Sequence, residues 1–236
     1  MPNRDVILLL KFTLLEFKQF NKIYFALLFV HLVILFTEPI HFLIAVTKPT
    51  LLISLIAFYM QKGFKTLLYP QKLFLFGLFF SLLGDVLLIG EDYFIFGLGA
   101  FLIAQLAYTF AFYRSNYGQK GLIQKKPIVA AVVFTYTIAI IFFLKDSAGE
   151  LLPAIVVYAT VISLMLIAAI NRKGVAQKES YMLVALGALS FVASDTLLAV
   201  NKFHDSFFLA NIAVMLTYGI AQYLLVKGFS SILPKK

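Results

Sequence analysis

Two aspartates stand where a carboxylate is hard to keep. Asp85 lies in 77-GLFFSLLGDVLLIG-90 and Asp195 in 190-SFVASDTLLAV-200, and no other Asp falls inside an apolar run of this sequence. A third ionisable group, Lys48, lies in 45-AVTKPTLLISL-55. Charge in hydrocarbon is costly, so such residues usually mark a site or a path rather than packing. Two carboxylates and an ammonium can transfer protons, bind a polar headgroup, or hold a divalent cation through oxygen ligands. They can also simply tie helices together. Pro49, directly after Lys48, is expected to bend its helix there and free a backbone carbonyl.

Further polar side chains fall within apolar segments: Gln105, Tyr108, Tyr158, Tyr218 and Gln222. Each can hydrogen-bond a bound headgroup or another helix. Gly84 and Ser194, immediately before the two Asp, let helices approach closely. Asn201 and Lys202 follow Asp195 at the expected pocket mouth and are candidate headgroup contacts. His31 has no ligand-like neighbour in sequence and is read as structural. The three His show no paired spacing of a zinc site, and there is no phosphate-binding loop, GxSxG elbow or cysteine. No metal or other cofactor is called for.

These groups must be positioned by a membrane bundle. Of 236 residues 62% are hydrophobic and 13% charged, too little charge to cover a soluble body of this size. The fold class expected is all-α, one domain over 1–236, with eight transmembrane helices at about 22–37, 40–60, 72–89, 93–113, 127–144, 152–170, 180–200 and 207–227. Residues 6-VILLLKFTLLEF-17 are too short and too charged for a span and read as an interfacial segment. No cleavable signal peptide is visible, and residues 228–236 form a tail. Of the 20 Lys and Arg, 17 fall before the first span, on the even-numbered connections or after the last span. Both termini are therefore expected to be cytoplasmic, most simply at a bacterial inner membrane. The other face is acidic, with Glu38, Glu91, Asp92, Asp146, Glu150 and Asp205. The charge of +9 is then a topology signal and an anionic-lipid contact, not a nucleic-acid footprint. No protein partner is implied.

An internal repeat orders the site. Gly77 and Asp85 match Gly187 and Asp195, and Tyr108 and Tyr218 each stand 23 residues after their Asp. The offset is 110 residues throughout, and it also sets Tyr158 against Lys48. Four spans separate the copies, so the two four-helix halves are parallel-related. Asp85, Asp195 and Lys48 should then sit about 7–10 Å below the non-cytoplasmic helix ends, lining one polar pocket.

Taken together, 47-TKPTLLISL-55, 79-FFSLLGDVLL-88, 97-GLGAFLIAQLAYTFAF-112, 158-YATVISLM-165, 190-SFVASDTLLAVNKF-203 and 217-TYGIAQYLL-225 resemble the YhhN-like family, which includes the transmembrane lysoplasmalogenases. Gln105 departs from the family pattern, which has His there. The resemblance implies a hydrolase of lysoplasmalogen, a lysophospholipid with an sn-1 vinyl ether. Its products would be a fatty aldehyde and glycerophospho-ethanolamine or -choline. Vinyl ethers hydrolyse by slow protonation of the β-carbon, giving an oxocarbenium ion that water captures. Two carboxylates in a dry pocket suit that task, because they resist ionising together and supply one acid and one anion. On this reading Asp195 is the acid and Asp85 stabilises the cation and activates water. Lys48 holds Asp85 ionised or binds the lipid phosphate. The rival classes are a proton-coupled transporter, whose site must reach both faces in turn, and a non-catalytic lipid-binding protein.

Overall fold

The computed structural model describes residues 4–37, 40–61 and 66–230, with the side chains of 4–18 and of Glu91 outside the description. The chain is all-helical, 84% helix, with no strand among the described residues. Where no water reaches the backbone, each N–H and C=O must be closed within its own segment, and an apolar run therefore becomes a helix. The elements are α1 (Arg4–Thr37), α2 (His41–Met60), α3 (Tyr69–Leu87), α4 (Phe94–Arg114), a short α5 (Leu122–Lys125), α6 (Ile128–Leu144), α7 (Leu152–Ile170), α8 (Lys178–Phe203) and α9 (Ala210–Ser230). Single 3₁₀ turns at Glu91–Tyr93 and Gly149–Leu151 precede α4 and α7.

Seven of these helices are long and apolar enough to cross a membrane, the first from Gln19 to Thr37. This is an integral, multi-pass membrane protein. The expected fifth span is α6, whose 17 residues fall short of that length. The segment expected to lie along the interface is not separate: the α1 backbone runs unbroken from Arg4 into the first span. The tail expected at 228–236 begins later, since α9 continues to Ser230, and residues 231–236 lie outside the described residues.

Local sequence explains several features that aim the site. In α3, Pro70 occupies the first turn and the Gln71 side chain accepts a hydrogen bond from the Leu68 N–H at 2.9 Å, closing an N-terminal orphan donor. Helix α2 continues through Pro49. On either side, the Thr47 and Thr50 hydroxyls donate to the carbonyls of Leu43 and Val46.

Packing is closest between α3 and α4 and between α8 and α9, with α4 also against α7. The two repeat glycines allow the first two contacts. A Cβ on Gly77 would lie 2.5 Å from the Tyr108 ring, and one on Gly187 3.0 Å from the Ala221 carbonyl oxygen. Phe101, Phe191 and Tyr218 meet edge to face at the centre, while Phe29, Phe42 and Phe142 point outward, as a lipid-facing surface requires.

The end of the bundle where α4 and α7 stop is closed by Arg172, fully buried and donating to the Ser115 hydroxyl at 3.1 Å and the Ser180 hydroxyl at 3.0 Å. Ser180 in turn donates to the Gly228 carbonyl at 2.7 Å. Desolvation pulls the guanidinium down to about 10. The Phe229 ring lies 5.1 Å away, and one cation thus binds the ends of α4, α7 and α9 to the start of α8.

Candidate active site

The opposite end of the bundle is open. A cavity of about 490 Å³ is walled there by α1, α2, α3, α4, α6, α7, α8 and α9, and it holds Lys48, Asp85, Tyr158, Ser194, Asp195, Asn201, Lys202 and Tyr218. Eight residues expected from the sequence thus line one cavity, Lys48 in the first half of α2 and Asp85 near the end of α3. The depth expectation needs correction. Asp85 lies two residues from the end of α3, about 3 Å, because the helix stops at Leu87. Asp195 lies eight residues from the end of α8, about 12 Å, because that helix runs on to Phe203. The two thus line one cavity although they stand at unequal distances from their helix ends.

Their partners differ. Asp85 is buried, with the Lys48 ammonium 3.8 Å from Oδ1 and the Tyr218 hydroxyl donating to Oδ2 at 2.8 Å. Asp195 accepts one hydrogen bond, from the Tyr158 hydroxyl to Oδ2 at 2.5 Å, and no cation pairs with it among the described residues. Tyr158 stands 110 residues after Lys48 in the sequence, and the partner of one Asp is a cation while that of the other is a neutral donor.

Behind Asp85 runs a directed chain of hydrogen bonds. Gln222 Nε2 donates to the Tyr218 hydroxyl at 3.3 Å, and Tyr108 donates to Gln222 Oε1 at 3.2 Å. The Tyr108 proton being committed, the 3.1 Å contact with Ser81 has Ser81 as donor. Every donor in the series points towards Asp85, an arrangement suited to an anion at its end.

Tyr108 and Gln222 therefore lie behind the wall and do not line the cavity. Gln105 does not line it either: the side chain is fully buried, with neither amide atom hydrogen-bonded among the described residues. Ser194 donates to the Val214 carbonyl at 3.0 Å, fastening α8 to α9 beside the site. The Lys202 ammonium sits 5.1 Å from the Phe94 ring centroid at the mouth. Among the described residues no cluster of three or more His, Cys, Asp or Glu is placed to hold a metal ion.

Sequence reasoning missed polar groups on the same wall: His31, Tyr136 and Asn211. His31 is the notable one, since it was expected to be structural. A signal was available in the α1–α2 hairpin, where His31 and Thr47 stand eight residues either side of Pro39 and so face each other at the level of Lys48.

The family model described as the YhhN family matches residues 43–229. The chain belongs to the YhhN family. Within it, the chain is similar to lysoplasmalogenase TMEM86A of Homo sapiens, at 31% identity over 153 residues, 63% of this chain and 61% of the relative. The Bos taurus protein of the same name is 28% identical over 154 residues, with the same two shares. The chain thus matches about three fifths of the length of these relatives. No solved structure matches it. The family match begins after α1, so His31 lies outside it.

Proposed function

We propose that this YhhN-family protein is a membrane-embedded lysoplasmalogenase, hydrolysing the sn-1 vinyl ether of a lysophospholipid. The observation that carries the reading is the unequal pair on one cavity wall: Asp85 beside a cation, Asp195 without one. The relatives named lysoplasmalogenase point to the same reaction.

The unequal partners support a division of roles. Asp85, held by Lys48 and Tyr218, is the anion. Asp195, whose second oxygen is left free by Tyr158, carries the transferable proton. Asp195 protonates the β-carbon of the vinyl ether, and the C=C electrons form the new C–H bond. The cation left on the α-carbon and ether oxygen is stabilised by the Asp85 carboxylate. Water adds to the α-carbon and gives its proton to a carboxylate. The hemiacetal then breaks its C–O bond to the glycerol, releasing the fatty aldehyde and the glycerophospho-base. One water is consumed, and the acid is restored. Lys202 and Asn201 contact the headgroup at the mouth, and the apolar walls accept the chain. No metal enters this scheme.

The same reading has eight membrane crossings with both termini cytoplasmic. In support, Tyr158 near the start of α7 bonds Asp195 in the last third of α8, while α4 starts at the cavity end and finishes at the far end. Helix α6 is then what carries the chain back across. Related halves are supported by helix starts close to the 110-residue offset: α2 and α7 at 41 and 152, α3 and α8 at 69 and 178.

The test is purified protein in detergent with an alkenyl lysophospholipid, following released aldehyde. Turnover by wild type that falls by tens of fold in Asp85→Asn and further in Asp195→Asn, with folding kept, is the expected result. Silence from folded wild type with both choline and ethanolamine headgroups sinks the assignment.

A further inference from the structure

His31 is fully buried in α1, yet it lines the cavity. Its two ring nitrogens are in different situations. Nδ1 lies 2.8 Å from the Thr47 hydroxyl oxygen. That hydroxyl has already committed its single proton to the Leu43 carbonyl, at 2.7 Å, so Thr47 can only accept from the ring. The proton is therefore on Nδ1, and in the neutral ring Nε2 presents a bare lone pair. Nε2 is buried and has no hydrogen-bond partner among the described residues. An imidazolium would place a second cation beside Lys48 with no carboxylate bonded to it, which leaves the neutral ring as the form its surroundings accept.

The reading of the cavity as a lysoplasmalogenase site, on which this inference rests, limits what Nε2 can meet. A lone pair needs a donor. The phosphate oxygens and the ether oxygen are acceptors, a choline headgroup donates nothing, and an ethanolammonium would be pushed away by Lys48. The one neutral donor common to every such lipid is the free sn-2 hydroxyl, one carbon from the carbon that bears the vinyl ether oxygen. We propose that His31 Nε2 accepts the hydrogen bond of the substrate's sn-2 hydroxyl, and so selects lysolipids over those substituted at that position. A buried acceptor built for a hydroxyl is left unpaired by a substrate lacking it, which is the strong form of such discrimination.

The experiment compares kcat/KM for aldehyde release from an alkenyl lysophosphocholine and from its 2-deoxy analogue. Wild type should favour the hydroxyl substrate by about tenfold to a hundredfold. His31→Phe should lose that factor on the hydroxyl substrate and treat the two alike. His31→Gln places an amide atom where Nε2 stood and should keep much of the preference. His31→Asn keeps only the Thr47 side of the ring and should behave like His31→Phe. Equal losses on both substrates in His31→Phe, or a preference that survives it, would overturn the inference while leaving the hydrolase reading intact. Wild type inactive on both substrates would bring down the hydrolase reading and this inference with it.

Discussion

Two carboxylate sites 110 residues apart in the sequence open on one cavity, and their surroundings differ. In the first, Asp85 faces Lys48 across 3.8 Å and stands at the end of a chain of donors from Ser81, Tyr108, Gln222 and Tyr218. In the second, Asp195 faces Tyr158, the residue in Lys48's place, and receives one hydrogen bond. The 110-residue offset sets Tyr158 against Lys48, and on the proposed reading that difference, together with the donor chain behind Asp85, suits one site to an anion and the other to an acid. The general pattern is that titratable pairs divide labour when their surroundings differ.

That contrast can be broken from either side. The largest effect is expected at Asp195, where Asn should cost about a thousandfold in kcat, in the range of a lost general acid. Giving Asp195 a cation should be nearly as damaging: Tyr158→Lys is expected to match Asp195→Asn in aldehyde release while the protein still purifies as a folded species. If Tyr158→Lys keeps wild-type turnover, the division of roles is wrong. Next comes Lys48→Met, which strips Asp85 of its counter-ion. It should lower kcat by tens of fold, and Asp85→Asn, added to it, should cost little more, because both remove the same anion. A smaller change sharpens the comparison. Tyr158→Phe removes one hydrogen bond from Asp195 and should alter kcat by about tenfold, with KM steady. The least is expected from Tyr108→Phe, two hydrogen bonds behind Tyr218 of the cavity wall. A change of a few-fold in kcat and a stability loss of about 1 kcal/mol by thermal unfolding would place that chain in support rather than in the chemistry.

Much of the scaffold was legible in the sequence, because a run of apolar residues long enough to cross a bilayer is a one-dimensional signal. The ends of α2, α4 and α6 fall within a residue or so of expectation. Residues on one wall were also legible where charge made them expensive: Lys48, Asp85 and Asp195. What the sequence did not carry was where side chains turn. By the repeat, Tyr108 and Tyr218 should play matching parts, yet Tyr218 reaches across to Asp85 while Tyr108 stays behind it, bonded to Gln222. That difference arises from how α9 lies against α3, a tertiary fact. The place of His31 on the cavity went unseen for a related reason. Its partner Thr47 is 16 residues away across a hairpin, and only a register argument, not composition, would have joined them. The depth of Asp85 was misjudged because nothing in 85-DVLLIG-90 announces that α3 stops at Leu87.

Helix α6 has a consequence for the surrounding lipid. Its 17 residues measure about 25 Å, against about 30 Å of hydrocarbon, while its neighbour α8 runs for 26. With α6 as the eighth crossing of the proposed reading, a membrane matched to α8 is too thick for it, and acyl chains beside α6 would shorten or tilt, drawing headgroups inward on that side. Tyr136, Thr137 and Ile140 of α6 form part of the cavity wall, and Tyr136 hydrogen-bonds Thr196, next to Asp195. The hydrophobic mismatch would then fall on the flank nearest Asp195. A bilayer dimple there would carry the proposed single-chain lipid substrate part of the way down before the protein touches it, and bilayer thickness would then control how often the site is filled.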